Sequence, residues 1–261
     1  RNGRVTTYEY DHLNRLKYEK WYTDQAALDT NPGSPLETIN YYYDENSNLL
    51  AVIDPSATHF YEYDKLNRQT FARQVIAGLT TWIDFERQYD AASRMIVSAA
   101  TLDTDMLDFQ NNYTYDPLGR VTRVIQQDQS DLAVSIKRID LEYNAASQLT
   151  ALSRYASLNT ASPVAETEYG YDAAGRLTSI FHAATAAFTF AERHGFGYDE
   201  ANRLISYTSF QDSLENRTYT YDSTGQLVSG VTDSDPLAGE FYGYDDNGNR
   251  LYAEDYNVGP F

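Results

Sequence analysis

The pair Tyr-Asp recurs along this chain and constrains its fold more than any other feature. Nine copies carry the pair itself and a tenth carries Tyr-Asn, with 20 to 33 residues between successive motif tyrosines. A recurrence on this scale is typical of repeat proteins, in which each copy is one supersecondary unit that packs against its neighbours. The copies lie at Tyr10-Asp11, Tyr43-Asp44, Tyr63-Asp64, Tyr89-Asp90, Tyr115-Asp116, Tyr143-Asn144, Tyr171-Asp172, Tyr198-Asp199, Tyr221-Asp222 and Tyr244-Asp245.

The residues around the pair predict a β-hairpin. A second aromatic residue usually stands two positions before the motif tyrosine, as at Tyr8, Tyr41 and Tyr169. Residues i and i+2 of a strand share a face, so the two rings lie on one surface of a sheet. The Asp favours a turn, because its side chain can accept a hydrogen bond from the backbone two residues further on. Each motif therefore marks the end of a strand and the start of a turn.

A small or turn-prone residue follows three positions after each Asp. Gly and Asn tolerate the left-handed conformation of a G1 bulge, which often follows a type I turn in a hairpin. The positions are Asn14, Ser47, Asn67, Ser93, Gly119, Ser147, Gly175, Asn202, Gly225 and Gly248. In six copies the next residue is arginine, at Arg15, Arg68, Arg94, Arg120, Arg176 and Arg203, and the return strand starts there.

The repeat length predicts the fold class. A period of this size fits two strands and two turns, so we expect an all-β fold, a long antiparallel meander of roughly twenty strands. We expect one repeat array over residues 1–261, with one short helical turn between Thr23 and Asp29. The Ala-rich stretch 183–187 is interpreted as a strand end or a tight connection. Because Gly3-Arg4-Val5 resembles the tail of an earlier copy, we interpret the chain as a piece of a longer protein.

The composition argues against several classes of partner. The net charge of −18 disfavours sequence-independent binding to nucleic acid and docking on anionic lipid. The chain has no cysteine, so disulfides and thiolate metal sites are excluded. No apolar run approaches the roughly 20 residues of a membrane span, and we predict no membrane insertion.

The sequence carries no signature of catalysis, and we predict no catalytic residue, no cofactor and no metal. The four histidines, His12, His59, His182 and His194, form no His-Glu-x-x-His motif, and no nucleophile elbow or phosphate loop is present. Glycoside hydrolysis by paired carboxylates is disfavoured, because the recurring Asp is explained as a turn residue. Two acidic stretches, 103–108 and 245–249, suggest calcium loops but are interpreted as solvated loops.

The recurring tyrosines and arginines have two interpretations each. Exposed aromatic faces can stack on sugars, but rings that recur at every hairpin favour cross-strand packing. The arginine after each turn is predicted to be structural, either stacking on a neighbouring tyrosine or reaching the turn Asp.

The motif resembles that of the YD-repeat family, which includes bacterial Rhs proteins, cocoon-forming components of insecticidal toxin complexes, and animal teneurins. The pattern Tyr-x-Tyr-Asp-x-x-Gly-Arg-Leu is nearly whole in the segment from Tyr169 to Leu177, and the resemblance covers essentially the entire chain. It implies that the repeats curl into a shell- or barrel-like spiral sheet. In Rhs and toxin-complex members such a shell encloses a C-terminal toxin, and in teneurins it is part of an extracellular adhesion protein.

The chain departs from the family in one respect. Rhs-type shells end in a sequence resembling Pro-x-x-x-x-Asp-Pro-x-Gly-Leu, at which self-cleavage frees the toxin. Here Asp116-Pro117-Leu118-Gly119 lies in the middle of the array and lacks the upstream proline, so it is interpreted as a turn. Complete shells of the family also use many more repeats than ten, so the chain is interpreted as an arc of a shell or part of an open array.

The sequence thus predicts a structural protein rather than an enzyme. We expect a wall segment of a shell on a secreted or surface-associated bacterial polypeptide. The expected partners are further YD repeats of the same polypeptide or an enclosed C-terminal domain. Two alternatives stay open: a cell-surface adhesion module that binds glycans, and a filament module that self-associates through its edge strands.

Overall fold

The computed structural model of the protein describes residues 3–103, 106–127, 136–184 and 191–256. The chain divides into two compact units, Arg1–Lys137 and Arg138–Phe261. The regular secondary structure of each unit is almost entirely β-strand, and each unit contains five of the ten Tyr-Asp or Tyr-Asn turns.

The first unit is an antiparallel meander. Every strand pairs with the next one along the chain, from β1 with β2 to β9 with β10. The strands are β1 Val5–Tyr10, β2 Leu16–Tyr22, β3 Glu37–Tyr43, β4 Leu49–Ile53, β5 Ala57–Tyr63, β6 Gln69–Ile76, β7 Trp82–Tyr89, β8 Met95–Leu102, β9 Met106–Tyr115 and β10 Val121–Gln127.

The second unit repeats this arrangement. Its strands pair antiparallel in chain order, from β11 with β12 to β19 with β20. They are β11 Lys137–Tyr143, β12 Leu149–Tyr155, β13 Ala165–Tyr171, β14 Leu177–Ala184, β15 Ala191–Tyr198, β16 Leu204–Ser209, β17 Arg217–Tyr221, β18 Leu227–Thr232, β19 Asp235–Tyr244 and β20 Arg250–Tyr256. The predicted all-β meander of about twenty strands is confirmed for the described residues.

The register of each hairpin shifts at its motif tyrosine. In the β5–β6 hairpin, Glu62 pairs with Phe71, whereas the next residue, Tyr63, pairs with Gln69. This step is a β-bulge, in which one strand contributes one extra residue. Because the turn places that extra residue at a defined position, the bulge fixes the register of the two strands. The hairpin between β7 and β8 has the same shift just before Tyr89.

Two faces of the sheet can be distinguished in the first unit. The motif tyrosine and the aromatic residue two positions earlier, such as Tyr43 and Tyr41, share one face, which we call the tyrosine face. The opposite face carries a row of directly paired residues in which Ala51 lies between Tyr42 and Phe60.

Fully buried side chains are few, and all of them except Tyr22 are small. The buried apolar side chains of the described residues are Tyr22, Ala51, Ala99, Ala100 and Ala183, and the buried polar ones are Ser153, Thr167, Ser209 and Ser229. Most other strand residues are half-buried. The stability of each unit therefore depends on contacts between neighbouring strands and repeats, as in other repeat arrays.

The expected short helix is present after β2. Helix α1 spans Gln25–Thr30, and the Asp24 carboxylate caps it by accepting the backbone N–H of Ala27 at 2.8 Å. The first two residues of the Ala-rich stretch 183–187 are the last two residues of β14, which ends at Ala184. Residues 185–187 lie outside the described residues. None of the helical segments in the described ranges has the length and apolar character of a membrane span.

Candidate functional site: the turns and the contacts that join them

Every motif begins a turn with the same backbone geometry, which the turn at Asp64 illustrates. The Asp64 N–H donates to the Arg68 carbonyl at 3.0 Å, and the Asn67 N–H donates to the Asp64 carbonyl at 3.0 Å. Oδ1 of Asp64 accepts the backbone N–H groups of Leu66 at 2.8 Å and Arg68 at 3.1 Å. The Asp side chain thus satisfies backbone donors that the tight turn would otherwise leave without partners.

The fourth residue of each turn adopts the predicted left-handed conformation. Its φ angle lies between 60° and 88° in all ten turns. The residues are Asn14, Ser47, Asn67, Ser93, Gly119, Ser147, Gly175, Asn202, Gly225 and Gly248. Gly and Asn enter this region readily, whereas Ser is strained there, so the three serine turns are the least favourable locally.

In six turns the Asp also binds the arginine that starts the return strand. The arginine Nε donates to the second carboxylate oxygen at 2.6–2.7 Å. The pairs are Asp11–Arg15, Asp64–Arg68, Asp90–Arg94, Asp116–Arg120, Asp172–Arg176 and Asp199–Arg203. The predicted contact between the arginine and the turn Asp is therefore present.

Three of the four turns that lack this arginine, those at Asp44, Asn144 and Asp245, use amide side chains instead. Asn48 Nδ2 donates to Asp44 Oδ2 at 2.8 Å, in the place of the guanidinium. The turn at Asn144 reverses the polarity, because Asn144 Nδ2 donates to Gln148 Oε1 at 2.8 Å. The change from Asp to Asn at this turn is thus matched by a change from Arg to Gln, and both turns keep a side-chain hydrogen bond across the bulge.

These hydrogen bonds favour the ionised form of the turn aspartates. The pKa of Asp64 lies below its ordinary value, chiefly because the Arg68 side chain donates to the carboxylate, although desolvation opposes the shift. The pKa is lowered in the same direction at Asp11, Asp44, Asp90, Asp116, Asp172, Asp199, Asp222 and Asp245. The aspartates are therefore ionised over the whole neutral and mildly acidic range.

The same arginine also reaches the following repeat. The Arg68 guanidinium lies 4.7 Å from the ring centroid of Tyr89, and its Nη1 donates to the Asp90 carbonyl at 3.0 Å and to Ser93 Oγ at 3.2 Å. The equivalent stacking contacts are Arg15 over Tyr43 at 4.8 Å, Arg94 over Tyr115 at 4.8 Å, Arg176 over Tyr198 at 4.9 Å and Arg203 over Tyr221 at 4.6 Å. One side chain thus connects two consecutive turns.

The motif tyrosine makes a second connection, in the opposite direction. Tyr89 OH donates to the carbonyl of Gln69, the first residue after Arg68, at 2.9 Å. Seven other motif tyrosines make the same hydrogen bond to a backbone carbonyl, at 2.5–3.0 Å. The pairs are Tyr43 with Leu16, Tyr63 with Leu49, Tyr115 with Met95, Tyr171 with Leu149, Tyr198 with Leu177, Tyr221 with Leu204 and Tyr244 with Leu227. We call the alternating arginine and tyrosine contacts the turn ladder. Burial raises the pKa of Tyr43, Tyr63 and Tyr115.

The turn ladder refines the interpretation of the recurring tyrosines. Sequence reasoning favoured cross-strand packing of one tyrosine ring on another. In the five steps with an arginine contact, the motif ring instead faces a guanidinium, while its hydroxyl binds a backbone carbonyl. The arginine interpretations were both right, because one guanidinium can reach the turn Asp with Nε and stack on the next tyrosine with its plane.

Two of the histidines lie in a polar row on the second unit. His182 Nδ1 lies 3.0 Å from Thr167 Oγ1, and His194 Nδ1 lies 2.7 Å from Tyr207 OH. The two imidazole centroids are 6.3 Å apart, and Thr167 is fully buried. Within the described residues, no three His, Asp or Glu side chains are grouped so that they could hold a metal ion.

The acidic stretch 245–249 is an ordinary repeat turn. Asp245 Oδ1 accepts the N–H groups of Asn247 and Asn249 at 2.9 and 2.8 Å, and its Oδ2 accepts Asn249 Nδ2 at 2.9 Å. The carboxylate is therefore occupied by donors of its own turn. The other acidic stretch, 103–108, lies partly outside the described residues.

One paired site was not foreseen from the sequence. On the face opposite the tyrosine face, Arg73 Nε and Nη2 donate to the two carboxylate oxygens of Asp84, both at 2.6 Å. The same guanidinium lies 5.6 Å from the Phe71 ring and 5.2 Å from the Trp82 ring. Arg73 and Asp84 are direct cross-strand partners, so only the register of β6 and β7 could have revealed the pair.

Comparisons with known proteins give matches among solved structures. No family model and no curated protein matches the sequence. The crystal structure of TcdB2-TccC3-Cdc42 matches with a TM-score of 0.57, and that of TcdB2-TccC3 without its hypervariable C-terminal region matches with 0.58. Each is 16% identical in sequence, and each match covers 97% of this chain and 14% of the other.

The chain is thus an all-β repeat array with the fold of a segment of TcdB2-TccC3, and it spans about one seventh of the length of that chain. The ten turns and this fold together confirm the YD-repeat character that the motif indicated. At this level of identity the likeness concerns the fold.

Proposed function

We propose that this chain is a structural scaffold, a wall segment of a β-shell that encapsulates cargo such as a C-terminal toxin in an exported or surface protein of a bacterium. The observation that carries the proposal is the turn ladder, in which an arginine and a tyrosine bind one turn to the next at five steps within the two units. A wall has to hold successive repeats in fixed register, and the ladder supplies this link. The fold shared with TcdB2-TccC3 and the motif resemblance support the same role.

The proposed role is structural rather than catalytic. The carboxylates that recur along the chain accept backbone N–H groups of their own turns, and six of them also bind an arginine, as at Asp64. A catalytic carboxylate would need to be free to exchange protons with a substrate. The recurring motif is therefore better explained by the construction of the array.

The test uses the full polypeptide that contains this chain. If the repeats form a wall, the region that follows them is protected from added protease while the sheet is folded. The double substitution Arg68→Ala and Tyr89→Leu, which breaks one step of the ladder, should expose that region at lower denaturant concentration than the control Tyr42→Phe. Immediate cleavage of the following region in the intact polypeptide would contradict encapsulation.

A second candidate function, glycan binding, is favoured by one surface of the first unit. Tyr42 and Phe60 are 50% and 43% exposed, and they flank Ala51, which is only 7% exposed. Two accessible rings on either side of a small residue can stack on a sugar. A glycan array in which wild-type protein binds and the Tyr42→Ala, Phe60→Ala variant does not would support it. No binding by the wild type would reject it.

A further inference from the structure

A cavity of about 580 Å³ lies between the last two turns of the second unit. Asp222, Gln226, Tyr242, Tyr244, Asp245 and Gly248 contribute to its walls. The cavity therefore lies at one step of the turn ladder, between the turn that starts at Asp222 and the turn that starts at Asp245.

In the preceding step of the ladder, this space is filled by an arginine. Arg203 Nε donates to Asp199 Oδ2 at 2.7 Å, and the guanidinium lies 4.6 Å from the Tyr221 ring. Arg176 makes the same contacts one step earlier and also donates to the Asp199 carbonyl at 2.9 Å. At the step with the cavity, the residue in the arginine position is Gln226.

Gln226 does not replace the contacts of the missing guanidinium. Asp222 Oδ1 accepts the N–H groups of Thr224 and Gln226 and the Thr224 hydroxyl at 2.7–2.9 Å, whereas Asp222 Oδ2 accepts no hydrogen bond from any described residue. The Gln226 side chain points at Gly248, where a Cβ atom would lie only 2.8 Å from Nε2. The amide thus extends past the carboxylate and leaves it open to the cavity.

The tyrosine of this step is placed as in the other steps but lacks its cation. Tyr244 OH donates to the Leu227 carbonyl at 2.9 Å, which holds the ring in the usual ladder position. No arginine or lysine of the described residues lies over the Tyr244 ring; the nearby Arg250 lies over Tyr242 instead, at 5.7 Å. A ring face and a carboxylate oxygen are therefore both available at the cavity.

The other turns without arginine show that this vacancy is specific to Asp222. Asp44 receives Asn48 Nδ2 at 2.8 Å, so its second oxygen is satisfied. At the turn with Gln148, the acid is replaced by Asn144, and Gln148 Nε2 donates to the Gly175 carbonyl at 2.8 Å. Among the ten turns, which all lie in the described ranges, Asp222 alone keeps the carboxylate and has no side-chain donor from the return strand.

We propose that this cavity is a binding site for a guanidinium group supplied by a ligand. A guanidinium in it donates to Asp222 Oδ2 and to the Asp245 carbonyl while its plane stacks on Tyr244, as Arg203 does with Asp199 and Tyr221. The planar, delocalised cation suits this combination of carboxylate and ring better than a compact ammonium does. The acidic groups of the two turns exclude anions from the same space. This inference does not depend on the wall function.

The site is tested by titrating this chain with methylguanidinium at constant ionic strength. Binding is followed by NMR through the backbone signals of Gln226 and Gly248 and the ring signals of Tyr244. We expect chemical-shift changes that saturate at millimolar methylguanidinium, as is usual for a ligand of this size. Methylammonium should bind at least tenfold more weakly. Absent shifts, or equal shifts with both cations, would overturn the proposal.

Two substitutions locate the site. Gln226→Arg restores the ladder residue, fills the cavity from within and should abolish the methylguanidinium shifts. Asp222→Asn recreates the neutral Asn–Gln pair seen at Asn144 and Gln148, so this variant should fold normally and yet lose the ligand. Undiminished binding by either folded variant would contradict the site, whatever the function of the array.

Discussion

The guanidinium of Arg68 lies 4.7 Å from the ring centroid of Tyr89, one repeat further along the chain. The same guanidinium is held by its own turn, because Nε donates to Asp64 Oδ2 at 2.7 Å. The side chain is thus fixed at one turn and acts on the next. Similar pairs recur along both units, so the properties of the array can be tested one step at a time.

The shape of the guanidinium, and not only its charge, should matter at this position. Arg68→Lys keeps the charge but cannot bind Asp64, stack on Tyr89 and donate to the Asp90 carbonyl at once. We expect the free energy of unfolding to fall by about 1–2 kcal/mol, measured by urea denaturation. The control Arg87→Lys removes a single contact, with Gln69 Oε1 at 2.7 Å, and should cost less than half as much. Equal losses would argue against the ladder.

The hydroxyl of the motif tyrosine should contribute separately from its ring. Tyr89→Phe keeps the ring beneath Arg68 but removes the hydrogen bond to the Gln69 carbonyl. We expect a loss of about 1 kcal/mol in the free energy of unfolding. Tyr42→Phe, at a side chain that is 50% exposed, is the matched control and should change stability by less than the error of the measurement.

Substitution of the left-handed serine by asparagine should stabilise the turns that contain it. Ser93 has a φ of 61°, and its hydroxyl accepts Arg68 Nη1 at 3.2 Å. Asn adopts this conformation more readily, and Asn202 accepts Arg176 Nη1 from the equivalent position at 2.9 Å. Ser93→Asn should therefore raise the melting temperature, with a gain of about 0.5 kcal/mol, whereas the β-branched Ser93→Val should lower it. A stabilised valine variant would show that the left-handed conformation is not required.

The turn aspartates should make the array sensitive to acid. Their pKa values are lowered in the folded state, as at Asp64 and Asp90, so the unfolded chain binds more protons below about pH 4. The stabilisation is complete above the unfolded pKa and is lost as the pH falls through the lowered folded values. Urea denaturation from pH 7 to pH 2 should show this loss, and Asp64→Asn should make it smaller. The control is Glu45→Gln, at an exposed position in the neighbouring turn that starts at Asp44. A free energy of unfolding that is constant down to pH 2 would contradict the account.

The local structure of the repeats could be predicted from the sequence because it depends on short-range rules. Asp at the first turn position and Gly or Asn at the fourth were sufficient to predict the left-handed residue, and the structure shows the same conformation at Ser47, Ser93 and Ser147. Helix α1 was also anticipated near its observed position. These features depend on residues only a few positions apart.

The contacts between repeats could be predicted only in part. Arg15 and Asp44 are 29 residues apart, whereas Arg68 and Asp90 are 22 apart, because the loops between the turns differ in length. No fixed spacing therefore identifies the residue of the next repeat that an arginine contacts. The sequence could not decide whether the arginine stacks on a neighbouring tyrosine or binds the turn Asp. The Arg73–Asp84 pair and the cavity beside Gln226 depend on strand register, which becomes visible only in the folded structure.

The measurement that tests the turn ladder most directly is a double-mutant cycle between Arg68 and Tyr89. The single variants Arg68→Met and Tyr89→Leu are compared with the double variant by urea denaturation, and Arg68 with Tyr115, two turns away, forms the control cycle. We expect a coupling energy of about 1 kcal/mol for Arg68 with Tyr89 and a value near zero for the control. Additive effects of Arg68→Met and Tyr89→Leu would contradict the claim that this ladder joins one repeat to the next.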